Sequence, residues 1–192
     1  MATFPYPPTD QGHGEVSWTE SQSAEIDGMI ARYPQKRAAV MPVLWLAQDH
    51  FGWLSLDVIR LVAKTLELPP SHVLSVATFY TMFKKQPTGT HLLQVCHTLS
   101  CDLAGAEGLI SRIENKLGIK VGETTADGKF SLQRVECLAA CGSGPMMQVG
   151  TDYYELLKDD AAVDAVLDAL ASDNPPSLPR PEMDQWTYSR KS

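Results

Sequence analysis

Four cysteines are the residues of this sequence best suited to chemistry. Cys96-His-Thr-Leu-Ser-Cys101 is a C-x4-C pair, and Cys137-Leu-Ala-Ala-Cys141 is a C-x3-C pair, separated by residues 102–136. No cysteine lies outside the two pairs. Thiolates are soft ligands that select iron–sulfur clusters or zinc over hard, oxygen-seeking cations. A [2Fe-2S] cluster has two tetrahedral irons that each need two thiolates, a demand met by two loops giving two sulfurs apiece. Zinc sites commonly use C-x2-C, which neither pair matches, and thioredoxin-type redox catalysis requires C-x-x-C, which is absent. On spacing alone the iron–sulfur reading leads, with structural zinc and disulfides or unrelated buried thiols left open.

The remaining chemical residues are less organised. Gly142 and Gly144 could let backbone N–H groups approach the sulfurs, although turn formation alone also explains them, and Pro145 removes one such donor. His97 adjoins a cysteine but is redundant beside four thiolates. His13, His50, His72 and His91 have no paired metal spacing and read as surface or packing residues. Met146-Met147, Trp45 and Trp53 are expected in the core. Gly142-x-Gly144 runs into proline and a strand, not a helix, so it is no dinucleotide fingerprint.

The scaffold that must position the cysteines changes character near Pro87-Thr88-Gly89, where helical periodicity gives way to short β-like runs. Upstream, Ser17 with Glu20 and Thr19 with Gln22 both have capping-box spacing ahead of a helix that carries Ile26 and Ile30 and ends near Tyr33-Pro34. Val40, Leu44, Ala47 and Phe51 mark a second helix with Pro42 in its first turn and Gly52 as its stop. Ser55 caps a third helix through Leu66, and Ser71 a fourth through Tyr80, which together make a bundle. Downstream, His91–Val95 is expected as a strand running into Cys96. Cys101 should sit in a loop just before a helix with Ala106, Leu109, Ile113 and Leu117 aligned. Phe130–Val135 feeds the second cysteine loop, followed by a hairpin of Met146–Val149 and Tyr153–Leu156 and a helix carrying Val163, Val166, Leu167 and Leu170. That β-α-β-β-α order suits a thioredoxin-like sheet. The expected class is α+β: an extended tail over 1–17, a helical bundle over 18–88, the cysteine domain over 89–172 and a Pro-rich tail over 173–192.

Composition narrows the partners. The chain has 44% hydrophobic and 20% charged residues, ordinary for a folded protein. Its 16 Lys and Arg against 23 Asp and Glu give a net charge of -7, which disfavours nucleic acid and anionic lipid. The longest apolar run, Ala38–Ala47, is broken by Pro42 and far short of the roughly 20 residues that span a bilayer. The N-terminus lacks a secretory or transit pattern, so a bacterial cytoplasmic location is expected. In that reducing setting clustered cysteines point to metal.

Three segments in order carry a more specific signal: Val76-Ala-Thr-Phe-Tyr-Thr-Met-Phe83, Val95-Cys-x4-Cys101 and Glu136-Cys-Leu-Ala-Ala-Cys-Gly-Ser-Gly-Pro-Met-Met147. Together they resemble the 24 kDa (E) subunit family of respiratory NADH dehydrogenase, complex I, over residues 18–172. The resemblance implies an N-terminal helical bundle and a thioredoxin-like [2Fe-2S] ferredoxin domain, with Cys96, Cys101, Cys137 and Cys141 as ligands of one cluster. It implies a subunit of an NADH:quinone oxidoreductase that is not catalytic alone. FMN and NADH would bind a flavoprotein partner, which exchanges single electrons with this cluster. Other peripheral-arm subunits would be further partners, placing the chain on the cytoplasmic face of the inner membrane. Ala139 stands where the family often has Gly and Gly144 where Ala is frequent, while His97 and Asp102 vary the first loop. Diaphorase subunits of NAD-linked formate dehydrogenases or hydrogenases, and a metal-stapled interaction module, remain alternatives.

Overall fold

The computed structural model describes residues 12–172. The expected Pro-rich tail over 173–192, and residues 1–11 of the expected N-terminal tail, lie outside the described residues. The chain falls into two compact units that divide between Pro87 and Thr88.

The first unit is helical. Helix α1, Glu20–Ile30, starts at Thr19, not Ser17: the Gln22 N–H donates to Thr19 Oγ1 (3.3 Å) and the Thr19 N–H to Gln22 Oε1 (3.0 Å), a reciprocal capping box. A 3₁₀ turn, Lys36–Ala39, leads into α2, Val40–Phe51, with Pro42 in the first turn, where no intrahelical N–H is needed. Gly52, at φ +80°, stops it. Helix α3, Leu56–Leu66, is capped by Ser55, whose hydroxyl accepts from the Val58 N–H. Helix α4, Pro70–Phe79, corrects the expected Ser71 cap: Pro70 opens the helix, its fixed φ and missing N–H suiting the first position. Ile26, Leu44, Val58, Ile59, Leu66 and Phe83 fill the core between these helices. Trp45 does not join it; that side chain is 41% exposed. Residues 12–17 are tied down by His13, whose Nε2 donates to the Phe51 carbonyl (2.9 Å) while Nδ1 shares a 2.8 Å hydrogen bond with Ser55.

The second unit is built on a mixed sheet of β1 (His91–Cys96), β2 (Phe130–Val135), β3 (Met147–Val149) and β4 (Asp152–Tyr154) in the order β2-β1-β3-β4. Strands β1 and β2 are parallel, whereas β3 pairs antiparallel with both β1 and β4. The parallel pair requires a crossover, which α5 (Leu99–Leu103) and α6 (Ala106–Leu117) supply; α7 (Asp160–Ala171) follows the hairpin. The order β-α-α-β-β-β-α therefore has one more helix than the elements expected, α5, while its four strands are those expected. The hairpin counts as two strands, and β4 ends before Leu156, which takes φ +54°. Leu93, Ile113, Leu132, Met147, Val163 and Leu167 interlock in the core, so the sheet packs with α6 and α7. Between those helices, the Arg112 guanidinium grips both carboxylate oxygens of Asp164, and Lys116 reaches Asp164 and Asp168.

Gly89 begins this unit by close approach. A Cβ there would stand 2.8 Å from the Phe130 carbonyl carbon and 2.9 Å from its nitrogen, while the Gly89 N–H donates to the buried Ser131 hydroxyl (2.7 Å). Two chain segments can lie this near only if one lacks a side chain.

Candidate metal centre

All four cysteines reach one end of the sheet, but not by equivalent routes. Cys96 is the last residue of β1, locked by its N–H to the Met146 carbonyl (3.3 Å). Cys101 lies inside α5, not in the loop expected for it. Both are 2% exposed and pack with Ala106 and Met146. Gly144 completes that packing; a Cβ on it would come within 3.3 Å of the Cys101 Cα and Sγ. Cys137 follows β2 on a loop, and Cys141 begins a short 3₁₀ turn, Cys141–Ser143; both are exposed. The centre thus has a buried pair and an exposed pair.

Local hydrogen bonds aim the sulfurs. Thr98 occupies the N-cap position of α5 yet makes no capping bond; its hydroxyl lies 3.3 Å from Cys96 Sγ instead. The Ala139 N–H donates to Cys137 Sγ at 3.3 Å, from a residue held at φ +64°. The Tyr153 hydroxyl donates to the Leu138 carbonyl (2.8 Å), and Ser143 bonds the Ala140 carbonyl and the Glu155 carboxylate. Thr98, Tyr153 and Glu155 went unread in the sequence. Only Thr98 left a signal there, as a capping residue just ahead of Cys101. The candidate donors of Gly142 and Gly144 make no hydrogen bond to sulfur among those described, whereas Ala139 does.

Electrostatics follow the same asymmetry. Burial alone would push the Cys96 thiol up, but hydrogen bonds from Thr98, the Leu138 backbone and Cys101 together hold it below its ordinary value. Burial raises Cys101 to about 11, helped by its bond to Cys96 and the neighbouring thiolates. Cys141 is raised by its contact with Cys137. Four thiolates facing one another repel, a cost that bound cations relieve.

These residues fit an iron–sulfur cluster better than one zinc ion. The four cysteines line a single cavity of about 120 Å³ together with Thr98, Leu99 and Ser100, and no Lys or Arg contributes to it. Cys137 Sγ and Cys141 Sγ stand 3.4 Å apart, far beyond the ~2.05 Å of a disulfide. That separation is close to the ~3.8 Å expected for two sulfurs at about 2.3 Å from one tetrahedral metal. Yet among the described residues no group of three or more Cys, His, Asp or Glu side chains is placed to hold one metal ion. A single zinc would need such a group; two metals each taking a pair would not. His97 is turned aside toward Glu136 (3.8 Å) and does not line the cavity.

A mixed sheet flanked by helices, with thiolates converging at one end, defines a small α+β metalloprotein of the thiolate class. The family model for thioredoxin-like [2Fe-2S] ferredoxin matches residues 26–171. An NADH-quinone oxidoreductase subunit of Rhizobium meliloti (strain 1021), designated E 2, is 47% identical over 146 residues, 76% of this chain and 86% of that protein. The corresponding E subunit of Rickettsia bellii (strain RML369-C) is 43% identical over 160 residues, 82% of this chain and 95% of that protein. Among solved structures, an NAD+-reducing [NiFe]-hydrogenase in the air-oxidised state superposes with a TM-score of 0.59 at 21% identity, covering 75% of this chain. This chain spans 24% of that one, so the likeness speaks for the fold alone. The chain belongs to the thioredoxin-like [2Fe-2S] ferredoxin family, as its three motifs implied. Its cofactor is accordingly one [2Fe-2S] cluster.

Proposed function

We propose that this chain is the [2Fe-2S] electron-transfer subunit of an NADH-quinone oxidoreductase, with Cys96, Cys101, Cys137 and Cys141 as the cluster ligands. One observation carries the ligand assignment: the four cysteines, two from each loop, line one cavity. The names of the relatives support the complex. When bound, such a cluster exchanges one electron at a time. A hydride carries two electrons, so a flavin must stand between NADH and this chain, and the FMN belongs to a flavoprotein partner.

The surface around the cysteines suits a docked partner. Leu99 and Leu103, 71% and 79% exposed, lie four residues apart on α5 with Cys101 between them. Leu99 shares the cavity with the exposed Cys137 and Cys141, and with Leu103 on the same short helix it offers an apolar seat beside the cysteines. No helix among the described residues is long and apolar enough to cross a membrane. As a subunit of such a complex the chain would sit peripherally on the cytoplasmic face, a reading that the names of the relatives support.

The chain purified anaerobically should hold two irons and two sulfides and give a paramagnetic signal on chemical reduction. NADH alone should leave its spectrum unchanged; NADH with the copurified flavoprotein should reduce it. Rapid bleaching of the isolated, flavin-free chain by NADH would refute the carrier reading, and a colourless protein with one zinc would refute the cluster.

A further inference from the structure

The exposed ligand pair stands on backbone that belongs to no strand, and such segments open readily unless side chains tie them down. Tyr153, on β4, does so across fifteen residues by donating to the Leu138 carbonyl at 2.8 Å. The Leu138 C=O and the Ala139 N–H are the two ends of one rigid peptide plane. Gripping the carbonyl therefore fixes the direction of the N–H, and that N–H points at Cys137 Sγ, 3.3 Å away. The tether also polarises the peptide and so strengthens its donor end. It opposes a real tendency to rotate, since Ala139 is held at φ +64°, a region that non-glycine residues seldom occupy. Tyr154, the next residue, packs instead against the core of the sheet and takes no part in this contact.

We propose that Tyr153 is a positioning residue: through the Leu138–Ala139 peptide it aims an N–H at the Cys137 sulfur and thereby sets the reduction potential of the metal centre. The inference rests on the proposed ligation by Cys137. Reduction adds negative charge that spreads onto the sulfurs, so a well-aimed N–H favours the reduced state and its loss lowers the potential.

Tyr153→Phe keeps the ring and removes the tether; Tyr154→Phe is the matched control. In the loaded protein, Tyr153→Phe should shift the one-electron equilibrium toward the oxidised state by up to about tenfold, ~59 mV, with iron content and melting temperature unchanged. Tyr154→Phe should match the parent. In the metal-free chain, hydrogen exchange at the Ala139 amide should quicken several-fold in Tyr153→Phe, while the amides of Val95 and Leu132 in the sheet stay as protected as before. An unchanged potential, or unchanged exchange at Ala139, overturns the proposal. Failure of the cluster reading would look different: the parent chain would then hold no iron and sulfide, while the exchange comparison would still report on the tether.

Discussion

Replacing Cys101 and Cys137 separately with serine should have the same effect on the metal and different effects on the protein. Oxygen is a poorer partner than thiolate for iron, so either change should strip or severely weaken the cluster. The metal-free chain distinguishes them. Cys101 is 2% exposed, packed against Cys96, Ala106, Met146 and the Gly144 backbone. A free cysteine so placed acts as a small hydrophobe. A hydroxyl there costs roughly 1–3 kcal/mol if left without a full partner. Serine in α5 can turn back to the His97 carbonyl four residues earlier, so the cost should fall near ~1 kcal/mol. For a unit of this size that lowers the melting temperature by about 4–8 °C. Cys137 is exposed, and its serine variant should melt with the parent. Thermal unfolding of the metal-free variants, followed on β1 and β2 amide signals, makes the comparison, with iron and sulfide analysis of the loaded forms beside it. Equal melting of the two variants would refute the buried–exposed asymmetry. Full, stable cluster content in the Cys137 or Cys141 variant would refute the ligand assignment.

A fragment beginning at Thr88 should accept a cluster under anaerobic conditions, because all four cysteines and their own core lie within it; reconstitution of the full chain but not the fragment would count against independent units. Gly89→Ala should destabilise the second unit by about 1–3 kcal/mol, since the Phe130 backbone must move to admit the methyl group, and an unchanged urea midpoint would contradict it. The Arg112 hydrogen bond holds the Asp164 carboxyl below its ordinary range, so its stabilisation is complete above the unfolded value of about 3.9 and is lost as pH falls through the lower folded value. Urea titrations of Asp164→Asn and the parent should thus differ by a constant amount from pH 5 to 8, with the gap beginning to close below about pH 4; a gap that stays constant as the pH is lowered further would exclude this linkage. Leu103→Asp should weaken copurification of the flavoprotein while leaving cluster content intact, and undiminished copurification would move the docking face elsewhere.

What could be read in advance was whatever the chain writes locally. The x4 and x3 spacings, the apolar rows of α2 and α3, the Ser55 cap and the β2 run each depend on residues a few positions apart, and the structure has them where the pattern put them. Competition between two local signals was harder. Ser17 and Thr19 both offer a capping box, and only the realised hydrogen bonds choose Thr19. Ser71 is a good cap residue, but Pro70 is a better first helical residue and shifts the start by two. Helix α5 is five residues long, too short for any apolar periodicity to announce it, which is why Cys101 read as a loop residue.

The unread part of the site has one cause. In the sequence the two cysteine pairs look alike, each a pair of sulfurs with small or polar residues between them. Their difference arises from what the fold brings alongside. Met146 and Ala106 close over Cys96 and Cys101, whereas nothing comparable among the described residues covers Cys137 and Cys141. The exposed pair is steadied from a distance, by Tyr153 on Leu138 and by Glu155 on Ser143, partners twelve or more residues away whose reach is set by the β3–β4 pairing. Burial fixes one half of the centre and hydrogen bonds fix the other. Change at the buried half should therefore register first in stability, and change at the tethered half first in potential.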